Sequence, residues 1–194
     1  MRTSTIKRTT NETDIDCKLN LDGSGEYTVD TGVGFFNHMM ELFAKHAQVD
    51  LELVCKGDTW VDAHHTVEDC GIALGTAIKN ALGDKAQIRR YATRFVPMDE
   101  TLMMVSMDIS GRPYLAFRAE VSSYKVGDFD SELFEEFFRA VAMNAGITLH
   151  VNLQYGVNTH HIIEAAFKAF GQALREAASI DGSLKGVLST KGML

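Results

Sequence analysis

Two short segments of this 194-residue chain have the residue types and spacing for metal chemistry: His64-His65-Thr66-Val67-Glu68 and, 96 residues on, His160-His161-Ile162-Ile163-Glu164. On a helix, residues i and i+4 stand one above the other, so His64 with Glu68, and His160 with Glu164, would each offer an imidazole and a carboxylate to one divalent cation. His65 and His161, turned by about 100° around the helix, would face elsewhere and suggest a second cation. Imidazole and carboxylate without thiolate exclude a Cys-type structural zinc site and admit Mn, Fe, Co, Ni or catalytic Zn. His38, with Glu41 and Lys45 on its helical face, is a candidate further ligand, and its counterpart Glu136 also has metal-binding oxygens.

Basic residues near the ends of elements suggest an anionic partner: Arg89-Arg90, Arg112, Lys168 and Ser189-Thr190-Lys191-Gly192. Lys168 lies at i+4 from Glu164, on the metal-facing stripe, which would bring a phosphate or carboxylate near the cation. Glu12, in the polar run Thr9-Thr10-Asn11-Glu12-Thr13, is a candidate mobile acid or base, His46 is balanced between substrate contact and scaffold, and His150 reads as strand packing. Two cations beside a basic cradle also suit phosphate-ester hydrolysis, and paired histidines could knit subunits together without turnover.

The elements that must hold these residues repeat as well. The 96-residue offset superposes Gly75 on Gly171, Leu74 on Phe170 and Ile78 on Leu174, while upstream an offset of 98 places Leu51 on Leu149, His38 on Glu136 and His46 on Asn144. Alternating apolar residues predict strands at 2–8, 15–21, 26–30, 49–55, 94–98, 102–108, 115–121 and 147–155, with Asp22-Gly23-Ser24-Gly25 as a hairpin turn. Helical periodicity predicts helices at 35–47, 64–82, 132–145 and 160–178. Each half (1–93 and 94–194) is then three strands, a helix, a strand and a helix. That order suits an α+β fold with helices on one face of a mainly antiparallel sheet. The two layers would pack helix to helix, with Gly71 and Gly75 allowing close approach, and 1–194 would form a single integrated domain.

Composition sets the outer limits. A net charge of −7 leaves no basic stripe for nucleic acid or an anionic membrane surface. No apolar run reaches the length of a membrane span or of a signal peptide, so neither is expected. Cys17, Cys55 and Cys70 are odd in number and lack C-x-x-C spacing, which fits buried thiols in a reducing cytoplasm.

The segments His64-His65-Thr66-Val67-Glu68-Asp69, His160-His161-Ile162-Ile163-Glu164-Ala165, Phe36-Asn37-His38-Met39 and Ser189-Thr190-Lys191-Gly192 resemble the imidazoleglycerol-phosphate dehydratase family over essentially the whole chain. The resemblance implies dehydration of imidazole glycerol phosphate to imidazole acetol phosphate in histidine biosynthesis, with two Mn(II) per active site. It implies a duplicated fold of the ribosomal-protein S5 domain 2-like type, with helices between two sheets, and a cytoplasmic shell of 24 subunits whose active sites lie between subunits. By position, the metal ligands would be His38, His64, His65, Glu68, Glu136, His160, His161 and Glu164. The substrate contacts would include Glu12, His46, Arg90, Arg112, Lys168, Ser189 and Lys191, the last five cradling phosphate, with His38 and His160 also touching the substrate. One position departs from the pattern, since Glu135-Glu136-Phe137-Phe138 carries glutamate where some members have histidine. No carbonyl flanks the carbon that loses its proton, so the imidazole ring must take up the charge, through a metal-bound imidazolate and a diazafulvene-like intermediate. Glu12 would remove the carbon-bound proton.

Overall fold

The computed structural model describes residues 1–194. Strands β1 (Thr3–Thr9), β2 (Thr13–Asn20) and β3 (Tyr27–Asp30) lead to helix α1 (Gly34–Ala47), strand β4 (Asp50–Gly57) and helix α2 (His64–Leu82). The second half repeats the order with β5 (Tyr91–Met98), β6 (Thr101–Asp108), β7 (Tyr114–Arg118), α3 (Leu133–Ala145), β10 (Thr148–Tyr155) and α4 (Thr159–Ala177). It adds a short ribbon of β8 (Lys125–Val126) and β9 (Phe129–Asp130) before α3. Every helix predicted from periodicity is present within one residue of its expected bounds.

The two sheets have the same topology, β1-β2-β4-β3 and β5-β6-β10-β7. In each, the outer pair and the central pair run antiparallel, and the last pair (β3 with β4, β7 with β10) runs parallel. This corrects one expectation: Asp22-Gly23-Ser24-Gly25 does not close a hairpin, because β4 lies between β2 and β3. The turn instead wraps Asp50, whose carboxylate accepts the backbone N–H of Ser24 at 2.8 Å and of Glu26 at 3.2 Å. A side chain at Gly23 would collide with that residue, its Cβ falling 2.3 Å from the Asp50 backbone nitrogen. The row expected to 121 is shorter too, β7 ending at Arg118.

Alternation decides the layering. Ile15, Cys17 and Leu19 of β2, Leu51, Leu53 and Cys55 of β4, and Met103, Val105 and Met107 of β6 all point into one buried core, while their neighbours face out. The helices fill the space between the sheets, α2 against α3 and α1 against α4, so each half covers its own sheet with helices that pack on the other half. Large and small residues complement each other across that seam. Phe137, Phe138, Phe167 and Phe170 occupy positions that the first half fills with Met39, Met40, Gly71 and Leu74, and all of these are buried. Gly71 and Gly75 stand where a Cβ would come within 2.8 Å of Ala140 Cβ and 2.7 Å of the Val141 carbonyl on α3. Gly171 repeats this against α1, 2.8 Å from the Phe43 carbonyl. One contiguous cluster of 54 buried apolar residues therefore includes both sheets' inner faces and all four helices.

All three cysteines are free and buried, and burial pushes the Cys17 thiol up to about 12, so it is an apolar filler and no thiolate ligand. No helix is long and apolar enough to cross a membrane.

Candidate metal centre

The motif histidines sit at the starts of α2 and α4, and the chain positions those starts the same way twice. The Asp62 carboxylate accepts the His64 backbone N–H at 2.8 Å, and the Asn158 side chain accepts those of His160 at 2.9 Å and His161 at 3.3 Å. Asn158 is the α4 N-cap and Asp62 stands one residue before the α2 N-cap Ala63; the two are themselves 96 apart, so the repeat extends beyond the segments that could ligate a metal. Capping satisfies otherwise unpaired N–H groups and fixes the first turn from which the imidazoles project.

At the α1–α4 end, His38, His160 and Glu164 place one ligand atom each within 4.8 Å of one another. His160 Nε2 is 3.1 Å and His38 Nε2 3.6 Å from Glu164 Oε2. The other oxygen, Oε1, accepts from Lys168 Nζ at 2.5 Å. Burial alone would raise the Glu164 carboxyl, yet the hydrogen bond and charge of Lys168, with His160 and His38 beside it, hold it below the ordinary glutamate value. A carboxylate that stays ionised between two imidazoles is the donor set a divalent transition ion takes. His46 lies near this cluster; burial and the charge of Lys168 lower its pKa, keeping it neutral at physiological pH.

At the α2–α3 end the carboxylate is more open. His64 Nε2 is 3.6 Å from Glu68 Oε2, and both side chains are more than 40% exposed. Glu136 does not complete a third close group here: its carboxylate lies 3.7 Å from Arg139, on the wall of a cleft of about 920 Å³ that Glu120 and Glu132 also line.

His65 and His161 point away from both pairs. His65 Nδ1 lies 3.0 Å from the Asp58 carboxylate, and His161 Nδ1 lies 2.8 Å from that of Glu100. Their Nε2 atoms face a second, exposed carboxylate each: Glu12 at 3.6 Å from His65 and Asp99 at 3.9 Å from His161. Those hydrogen bonds to Asp58 and Glu100 raise both histidine pKa values above the ordinary imidazole value. Asp58, Asp99 and Glu100 were not among the residues marked in the sequence, since a carboxylate in a loop carries no spacing that ties it to a distant histidine.

The phosphate candidates divide. Arg90, Arg112, Ser189 and Lys191 line one cleft of about 640 Å³. Asp108, also unmarked in the sequence, organises it: Arg90 donates to both its oxygens at 2.6 and 3.1 Å, and Arg112 stands 3.6 Å away. Arg90 further donates to the Leu188 carbonyl at 2.7 Å, tying the C-terminal segment to β6. Lys168 lies instead at Glu164, and Arg89 turns toward Glu176 at 3.8 Å. His150 lies exposed on the outer sheet surface, its ring 6.5 Å from that of Tyr114.

Residues 31–174 match the family model described as imidazoleglycerol-phosphate dehydratase. The chain is similar to the imidazoleglycerol-phosphate dehydratase of Acetivibrio thermocellus, 62% identical over 97% of each chain, and to that of Clostridium kluyveri, 58% identical over the full length of both. Among solved structures, it resembles the dehydratase from Staphylococcus aureus with a TM-score of 0.85 at 45% identity, covering 92% of this chain and 99% of that one. The Pyrococcus furiosus dehydratase also gives 0.85, at 35% identity over 97% and 100%.

Proposed function

This chain belongs to the imidazoleglycerol-phosphate dehydratase family of hydro-lyases, and we propose that it dehydrates imidazole glycerol phosphate to imidazole acetol phosphate in histidine biosynthesis, with two Mn(II) per active site. The observation that carries the reading is the group of His38, His160 and Glu164, whose ligand atoms lie within 4.8 Å. These donors fit a divalent ion; His64 and Glu68 would hold a second, with Glu136, which stands where the first half has His38, turning from Arg139 to join them. His65 and His161 would supply the remaining protein ligands.

A bound ion withdraws charge from the substrate's imidazole, the one group beside the reacting carbons able to take it up. The chain's own residues do the rest. Arg90, Arg112, Ser189 and Lys191 take the phosphate, with Arg90 held in place by Asp108 so that little side-chain freedom is lost on binding. Lys168 keeps Glu164 ionised and supplies positive charge beside the ring. Glu12, exposed and 3.6 Å from His65, has the freedom to reach the carbon-bound proton and remove it.

His65 and His161 point away from the two His–Glu pairs of their own chain and stay partly exposed, which supports active sites completed by a neighbouring copy in a 24-subunit shell. The three free, buried cysteines fit a reducing, cytoplasmic setting. The deciding experiment strips the protein with a chelator, restores Mn(II) and follows the keto product and inorganic phosphate in parallel. Metal-restored product without phosphate release is expected. Phosphate release would favour a hydrolase, and bound metal with no turnover a structural role.

A further inference from the structure

The two histidines of each motif are held differently. His64 and His160 turn Nε2 toward the glutamate one helical turn on, at 3.6 and 3.1 Å. His65 and His161 instead have Nδ1 against a carboxylate from outside their helix. We propose that Asp58 and Glu100 are positioning residues, each holding Nδ1–H of the second histidine of one motif so that Nε2 is the nitrogen offered to a metal. The inference rests on the metal reading above and adds two residues to it.

Three observations carry it. First, the contact recurs from unrelated places. Asp58 lies in the loop between β4 and α2, and the repeat offset of 98 places Gly156 opposite it, while Glu100 lies in the β5–β6 turn. Glu12, the counterpart of Glu100 in the β1–β2 turn, instead faces His65 Nε2 at 3.6 Å, so the Nδ1 contact of each half comes from a different element. Second, both carboxylates are themselves fixed. Asp58 is 7% exposed, and its backbone N–H donates to the Glu12 carbonyl at 3.0 Å. Glu100 uses Oε1 to accept the backbone N–H groups of Asn158 at 2.8 Å and Val157 at 3.2 Å, leaving Oε2 for His161. Third, the chemistry has one sense. An imidazole that donates Nδ1–H to a carboxylate is held in the tautomer whose lone pair is on Nε2, in a fixed orientation and with raised basicity, which is how histidine ligands are usually supported.

The test measures Mn(II) stoichiometry and affinity by chelator competition on the assembled protein, for the parent and for Asp58→Asn, Glu100→Gln, Asp58→Ala and Glu100→Ala. Loss of such a partner weakens metal binding by about 10–100-fold. The alanine variants should fall at the upper end of that range, and the amides, which still accept Nδ1–H but without charge, at the lower. The amide variants are isosteric and decide the matter if an alanine variant does not fold. Asp69→Asn is the control. Asp69 is a buried carboxylate on α2 that binds Arg8 and the Thr13 hydroxyl, so its loss should lower the melting temperature and leave metal affinity unchanged. Parental affinity in the Asp58 and Glu100 variants, with or without a lower melting temperature, would overturn the inference and leave the metal reading standing. A parent that binds no Mn(II) would overturn both.

Discussion

The α1–α4 end and the α2–α3 end of this molecule are built from equivalent elements, and each opens on a His–Glu pair one helical turn apart. Their surroundings differ. At the first end His38 adds a third donor, and Lys168 neutralises Glu164, which is 7% exposed. At the second, Glu136 stands in the place of His38 and turns to Arg139, Ile72 stands in the place of Lys168, and Glu68 is partly exposed. The duplication preserved the backbone frame, down to the Asp62 and Asn158 side chains that accept the first-turn N–H groups, while the residues around each pair diverged. A charge-balanced cluster of three donors around a buried carboxylate is preorganised for an ion, whereas a pair must recruit donors when the ion arrives.

The largest effects should expose that asymmetry. Glu164→Gln removes the buried carboxylate of the preorganised cluster and should cost roughly a thousandfold in turnover, the several kcal/mol that a catalytic ion supplies. Glu68→Gln, at the exposed end, should cost less, and equal losses in steady-state kinetics would make the two ends equivalent. Glu12→Gln should lower kcat by at least about a hundredfold while leaving Mn(II) content at the parental value, since a general base contributes in that range without binding the ion. Metal analysis of the purified variant separates the two roles.

The frame itself should respond alike in both halves. Gly75→Ala and Gly171→Ala each push a methyl to within 2.8 Å of a carbonyl on the opposing helix, so each should destabilise by about 1–3 kcal/mol in denaturant melts. A tolerated alanine at one site alone would show that one helix seam can spread. A smaller change tests the divergent position. Glu136→Gln should weaken Mn(II) binding at the second end by a few-fold, because a neutral amide oxygen donates less well than a carboxylate, and an unchanged titration would remove Glu136 from the ligand set.

Much of this was legible beforehand because period and repetition are local properties. The helix bounds, the inward rows of β2, β4 and β6 and the i,i+4 pairs all follow from residues a turn or two apart. Strand order was not, since nothing within Asp22–Gly25 says that a strand from 25 residues later will insert beside β2. The same limit hid Asp58, Glu100 and Asp108: each acts on a side chain from another element, and an isolated acidic residue in a loop reads as a solvated charge. Asp62 and Asn158 could have been found, because they obey the 96-residue offset already in view.

The finest test of the difference between the two histidines of each motif is the sign of a pH effect. Asp58 and Glu100 raise the pKa of His65 and His161 above 6.5 in the metal-free protein. A raised value means that the folded state binds the proton more tightly than the unfolded chain, so this contribution to stability is full below pH 6.5 and is lost as pH rises through the folded value. Metal binding needs the same imidazoles neutral, so stabilisation by Mn(II) must grow over that interval. Between pH 6 and 8 these two histidines should therefore lower the metal-free melting temperature slightly and raise the Mn(II)-loaded one. On acidification the apparent affinity for Mn(II) should begin to fall as these imidazoles take up protons, before Glu164, whose carboxyl is held low, does so. Parallel melting curves with and without metal check both signs, and the two profiles should draw closer when Asp58→Asn and Glu100→Gln are combined, because the pKa shift and the oriented Nε2 have one cause.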